Sequence, residues 1–410
     1  MAEAPHEFAC RISDSWAVYV ATSDKLFVLN STAKTAWDLL ACGHDVDSVA
    51  GIFAERFGIT CEQAACDIHS LVAMQARSAR HSSSENPAAA TEACAPVAAV
   101  NCSTRGETVD HGVFRFGPSR IRFLTSASTI DRGYFHRFVH RLVSPSSGEH
   151  LLEVAEAGSS CRLILDGTVV DEVAVPAATT CLVDFLLDWE HPGQPLMARC
   201  HAAAVSREGK SILMPGGSGV GKSTLTAYLV ANGMAYLGDD VVALGEDDAS
   251  LFPLPSCLSI KTGSWQLLER YYPGLMQRPS YRVFARDVRY LEPLGNYRTS
   301  PNGGPPAAIV FPVFVSGAAV HLEALSPVAA LVRFVGAHTS LVGAVTEDKL
   351  AKLIRFVERT PAYELRYSQL PEAQRVITSL LATDEGAASS LSADIVASLG
   401  ASAAGRRGSC

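Results

Sequence analysis

The stretch ILMPGGSGVGKSTL, residues 212–225, constrains this chain more than any other. An apolar run ends in a glycine-rich turn, and the turn leads into LTAYLVANG, a helical pattern closed by Gly233. Gly216-x-x-x-x-Gly221-Lys222-Ser223 satisfies the phosphate-loop pattern at every fixed position. Each residue type has a physical reason. Glycines let main-chain N–H groups turn toward phosphate oxygens without side-chain clashes. The helix after the loop points its positive end at the same anion. Lys222 is placed to reach the β- and γ-phosphates, and the Ser223 hydroxyl to ligate Mg²⁺. The expected nucleotide-binding set is therefore Gly216, Gly217, Ser218, Gly219, Val220, Gly221, Lys222, Ser223 and Thr224. A strand, this loop and a helix in series belong to an α/β sheet.

Two further features converge on the loop. MAYL, residues 234–237, reads as the next strand, and Asp239 and Asp240 come directly after it. Ligands of open α/β sheets bind at the carboxyl ends of the strands, so both acids should face the cradle. One can hold Mg²⁺ and the other can take a proton from an attacking hydroxyl. The alternative is a loop pair that caps the next element. Upstream, HAAAV and SILMP flank SREGK, a hairpin turn. If the turn centres between Glu208 and Gly209, His201 falls opposite Gly216, beside the loop. An imidazole there would assist proton transfer or steady developing charge; a packed or surface histidine is the alternative.

The rest of the chain frames this core. With 410 residues, two or three domains are expected. Residues 8–75 read as a small domain: strands over 16–30, a helix over 31–43 capped by Ser31, a second near 47–57, and a third begun by Thr60 and Gln63. Val49, Ile52, Phe53 and Phe57 form the expected buried side of the second helix. Residues 76–107, rich in Ala and Ser without periodicity, read as a flexible linker. Residues 108–195 look strand-rich, with one helix near 134–142. A core over 196–385 and a mobile tail over 386–410 complete the chain.

Composition excludes several classes. The formal charge of −8 opposes broad nucleic-acid binding. No apolar run approaches the roughly 18–20 residues that span a bilayer, and MAEAPHEF has no export pattern. The 11 cysteines include no CxxC pair and read as reduced, mostly buried thiols of a cytoplasmic protein, with no zinc site. His136 and His140 lie four apart, but with Arg137 and Arg141 beside them a solvated basic face is the better reading. Lys261 and Arg289 are each either a second phosphate reader or a surface charge.

Residues 201–244, HAAAVSREGKSILMPGGSGVGKSTLTAYLVANGMAYLGDDVVAL, resemble the core of the HPr serine kinase/phosphorylase superfamily. His201, Lys222, Ser223, Asp239 and Asp240 each match a motif position. PPAAIVFPVFVSGA and PAYELRYSQLPEAQRVI resemble the HPr-kinase-related proteins, and the basic loop used for phosphorolysis is lacking. The resemblance implies an α/β P-loop kinase core that uses ATP and Mg²⁺. It gives Asp239 as base, His201 and Lys222 as partners in catalysis, and Ser223 with Asp240 at the metal.

Residues 8–75, through the stretch 25–71, resemble the PqqD family of precursor-peptide recognition elements, a small α+β winged-helix-like domain. That resemblance implies a leader peptide added as a strand beside residues 24–29, with Lys25, Phe27 and Leu29 as the peptide-binding positions. Together the halves suggest a serine/threonine kinase for a ribosomally made precursor peptide, most like the kinases of lasso-peptide pathways. A nucleotide-gated peptide chaperone and a regulatory kinase of a folded carrier protein are the alternatives. The kinase family is often hexameric, so a homo-oligomer stays open.

Overall fold

The computed structural model describes residues 7–21, 25–85, 108–126, 132–138, 141–142, 150–283, 286–293 and 304–382. Most of the expected linker, the whole expected tail, Asp24 and His140 lie outside these. The chain is mixed α/β with several sheets and divides into two compact units: residues 1–92 with 344–354, and residues 93–343 with 355–410. Among the described residues, no helix is long and apolar enough to cross a membrane.

In the first unit, strands Glu7–Ile12, Ser15–Val20 and Lys25–Asn30 form an antiparallel sheet in chain order. Alternation buries Val18, Phe27 and Leu29 against Trp37. Three helices come next. The first, Ser31–Ala41, is capped by Asn30, whose side chain accepts from the Ala33 N–H at 2.7 Å. Ser31, expected as the cap, instead donates to the Asp14 carbonyl. The second, Val46–Phe57, begins at Asp45 and ends at Gly58 in the left-handed region. It buries Val49, Ala50 and Phe53, while Ile52 and Phe57 are 41% and 47% exposed, against expectation. The buried side of the helix is the narrow stripe of Val49, Ala50 and Phe53, and Ile52 and Phe57 fall outside it. The third helix runs Cys61–Glu85, past the expected boundary at residue 75.

Of the described cysteines, Cys42, Cys61 and Cys66 are exposed and only Cys161, Cys200 and Cys257 are buried. The expectation of mostly buried thiols therefore fails, chiefly on the helices of the first unit.

In the second unit, a six-stranded sheet joins Arg141–Leu142, Val109–Phe116, Ser119–Thr125, His150–Ala157, Ser160–Leu165 and Thr168–Ala174 in spatial order. Helix Ala178–Glu190 packs on it through Leu182 and Leu186, against Phe114, Phe116 and Phe123. The same core takes in Ala243, Phe252 and Leu254, so the segment 108–195 shares its interior with residues of the expected kinase core. The helix expected near 134–142 does not form among the described residues. Arg132–Arg137 is a short 3-10 turn, and Arg141–Leu142 pairs as a strand with Val109–Phe116.

A second six-stranded sheet carries the glycine loop. Its order is Ala235–Gly238, Ala202–Arg207, Lys210–Pro215, Ala308–Phe314, Ala362–Tyr367 and His321–Ala324. Lys210–Pro215, Ala308–Phe314 and Ala362–Tyr367 run parallel, and the other pairings are antiparallel. Ala235–Gly238 is antiparallel to Ala202–Arg207, which is antiparallel to Lys210–Pro215. The first and last therefore share a direction, and both end at the same sheet edge. Helices Lys222–Ala231 and Leu370–Ala382 cover the sheet through Leu225, Leu229, Val376 and Ile377.

Candidate functional site

The glycine loop begins after Pro215 at that edge. Gly219 and Gly221 have φ of 100° and 101°, conformations that side-chain-bearing residues rarely adopt. Gly221 is also closed in: a Cβ there would lie 2.6 Å from the Tyr367 hydroxyl. Phe314 donates its N–H to the Val220 carbonyl at 3.2 Å, which ties the loop to the neighbouring strand. The loop's residues are thus held by two parallel strands as well as by their own turn.

Lys222 opens the helix and is buried. Its ammonium donates to the carbonyls of Gly216 and Gly217. Burial pushes its pKa down to about 8, against the opposing pull of Asp239 and Asp240. Thr224 shares a 2.6 Å hydrogen bond with Ser264.

The hairpin pairs Ala202 with Pro215 and Arg207 with Lys210, the register drawn from its turn. Gly216 donates its N–H to the His201 carbonyl at 3.3 Å, which sets the imidazole beside the cradle. His201 Nδ1 lies 2.9 Å from Asp240 Oδ1. The other Asp240 oxygen accepts from Arg137. Burial works to raise the Asp240 pKa, but the Arg137 charge and the His201 contact outweigh it and hold the carboxyl well below the usual range. Asp240 has φ of 88°, the left-handed region, which costs about 1–3 kcal/mol for a non-glycine residue. That conformation directs two consecutive carboxylates to different partners.

Asp239 faces the other way. It is 1% exposed, and its Oδ2 accepts from the Ser259 N–H at 3.2 Å. Oδ1 is buried without a hydrogen-bond partner. Burial raises its pKa, and the Asp240 charge adds to this; the Ser223 side chain, Lys222 and Ser259 pull it back. The acid pair is therefore split electrostatically. Asp240 is held as an anion, and Asp239 is the stronger base.

Sequence reading separates from structure at three points. Arg137 is not part of a solvated basic face: its short 3-10 turn delivers it to Asp240, a residue 103 positions away. Of the two cations left open, Lys261 reaches the glycine loop, whereas Arg289 lies over the Trp265 ring and donates to the Leu275 carbonyl. In the first unit, Phe27 and Leu29 are core residues, Phe27 packing its ring 5.4 Å from that of Trp37. Their side chains fill the interior of the small domain, where the expectation had them facing a peptide. The main chain of Lys25–Asn30, an outer strand of its sheet, and the part-exposed Lys25 side chain are available for pairing.

No protein-family model matches the chain, and no curated protein matches it.

Proposed function

We propose that the chain is an ATP- and Mg²⁺-dependent phosphotransferase that acts on a serine or threonine hydroxyl of a precursor peptide. The observation that carries this reading is the convergence at one sheet edge of the buried Lys222 and Asp239 with the His201–Asp240 pair. A site that only bound nucleotide would need the loop; it would not need a desolvated carboxylate beside an imidazole–carboxylate pair.

This reading gives each residue a role. The acceptor oxygen bonds to the γ-phosphorus, the bond to the β-bridging oxygen breaks, and ADP leaves. The hydroxyl proton passes to Asp239, whose raised pKa suits it to the task. His201, held by Asp240, steadies the developing charge. The residues also offer hard oxygen donors to a divalent cation: the Ser223 hydroxyl and the Asp240 carboxylate, which stays ionised. Ser223 and Asp240 would hold Mg²⁺, with Asp240 exchanging one of its present partners, and the ion would neutralise phosphate charge.

The first unit supports peptide capture through the outer strand Lys25–Asn30, by main-chain pairing of a leader segment. The decisive experiment is intact-mass spectrometry of small peptides encoded beside the gene, after incubation with the protein, ATP and Mg²⁺. A phosphoryl gain that Asp239→Asn abolishes while ATP still binds supports the reading. Base removal should cost about 10²–10⁴ in rate. Peptide and ATP binding with no phosphoryl gain would favour the nucleotide-gated chaperone.

A further inference from the structure

Two cations from outside the glycine loop converge on its tip. Lys261 ends strand Leu258–Lys261, and its Nζ donates to the Ser218 hydroxyl oxygen at 2.6 Å. Arg286 opens the paired strand Arg286–Leu291, and its Nη1 donates to the same oxygen at 2.7 Å. That guanidinium nitrogen is also 4.0 Å from where a Cβ on Gly219 would stand. Both therefore belong to one small antiparallel sheet, which brings them to the loop from outside the sheet that carries it.

The pairing is electrostatically lopsided. A hydroxyl is a neutral acceptor, and here it serves two full positive charges. Other arginines of the same unit behave differently: Arg282 pairs with Asp287, and Arg162 with Glu172. Lys261 and Arg286 have no carboxylate within ion-pair distance among the described residues. Burial, and then the Arg286 charge, lower the Lys261 pKa, with Asp239 and Asp240 opposing. With Lys222 at the base of the loop, three cations surround Gly217, Ser218 and Gly219. Such a cluster suits a dense anion better than a serine.

We propose that Lys261 and Arg286 form a cationic clamp, supplied by the chain itself, that grips the terminal phosphate of a nucleoside triphosphate and makes the cradle select triphosphate over diphosphate. The inference rests on the phosphotransferase reading only in taking a nucleotide as the cradle's ligand. Ser218 is the loop residue that both cations hold, so its hydroxyl stands where a phosphate oxygen would exchange with it. A clamp on the outermost phosphate also sits where charge spreads during transfer, the position that an arginine finger fills in other phosphoryl-transfer enzymes.

The test is equilibrium binding of ATP and of ADP to the full chain with Mg²⁺, by calorimetry, in the wild type, Lys261→Met, Arg286→Met and the double variant. The wild type should prefer ATP. Each single variant should reduce that preference by about tenfold, the size of one charge-assisted hydrogen bond, and the double variant should abolish it. ADP affinity should stay within about twofold, since one lost hydrogen bond to the inner phosphates would already exceed that. Arg286→Lys should recover part of the preference.

Parallel loss of ATP and ADP in the variants would overturn the clamp and point to a structural role. Equal wild-type affinities for the two nucleotides would overturn it without any variant, even if one failed to fold, and would leave the phosphotransferase reading standing. No binding of either nucleotide by the wild type would overturn both.

Discussion

Glu190 offers a test of the second unit's energetics that is independent of any ligand. It ends helix Ala178–Glu190 and is 7% exposed. Its Oε2 accepts from the Gly117 N–H at 2.7 Å. The approach is close: a Cβ on Gly117 would lie 2.6 Å from the Trp189 carbonyl oxygen and 2.9 Å from that of Glu190. Burial pushes the carboxyl pKa up to about 7, and the Gly117 N–H and the Arg115 charge offset only part of this.

A raised folded-state pKa means that the fold prefers the protonated acid. Its contribution is fully present below the unfolded value of about 4.5 and is lost as pH rises through about 7. A shift of this size corresponds to roughly 3 kcal/mol at most, at 1.36 kcal/mol per pH unit. Glu190→Gln replaces the carboxylate with a neutral amide whose oxygen still accepts from Gly117. Wild type and variant should therefore be similar near pH 4.5. At pH 8 the variant should be more stable by about 1–3 kcal/mol. Chemical denaturation of both proteins at the two pH values measures this, because every other titrating group cancels in the difference. A stability difference independent of pH, or one that grows toward acid, would refute the reasoning.

Other outcomes concern the site and the first unit. Gly221→Ala should weaken nucleotide binding and cost about 1–3 kcal/mol of stability, because its backbone is left-handed and its Cβ would strike Tyr367. Adding Tyr367→Phe should restore part of the lost melting temperature, and no recovery would count against the clash. Arg137→Met frees one Asp240 oxygen and loosens the His201 pair; phosphoryl transfer should fall by about 100-fold, with ATP affinity little changed. An equal fall in ATP affinity would instead place Arg137 in nucleotide binding. Phe27→Ala should destabilise the first unit by about 3–5 kcal/mol, as core deletions do. A variant that melts like the wild type would return Phe27 to the peptide-binding set.

The features legible in the sequence are local. The hairpin register follows from a two-residue turn, Glu208–Gly209, and it brings His201 to Gly216 because pairing across a tight turn has little freedom. Gly58 ends its helix and Thr60 accepts from the Gln63 N–H, both within a few residues. Arg137 is illegible for the opposite reason. Its partner is remote in the chain, and a short 3-10 turn leaves no periodic trace. Arg286 and Lys261 share that difficulty: a basic residue at a strand end looks the same whether it meets solvent or a loop. Ile52 and Phe57 fail differently, since an apolar helix face does not reveal how wide a stripe its neighbours can cover.

The hydrogen bond from Gly216 to the His201 carbonyl has a mechanical meaning. It fastens the first residue of the cradle to the backbone that carries the imidazole, so the two form one lever and not two adjacent parts. An anion that draws Gly216 inward must drag His201 with it and alter its 2.9 Å contact with Asp240. If phosphate fills the cradle, this link predicts that the His201 ring resonances shift in step with its occupancy. Resonances indifferent to phosphate would show that the lever does not turn.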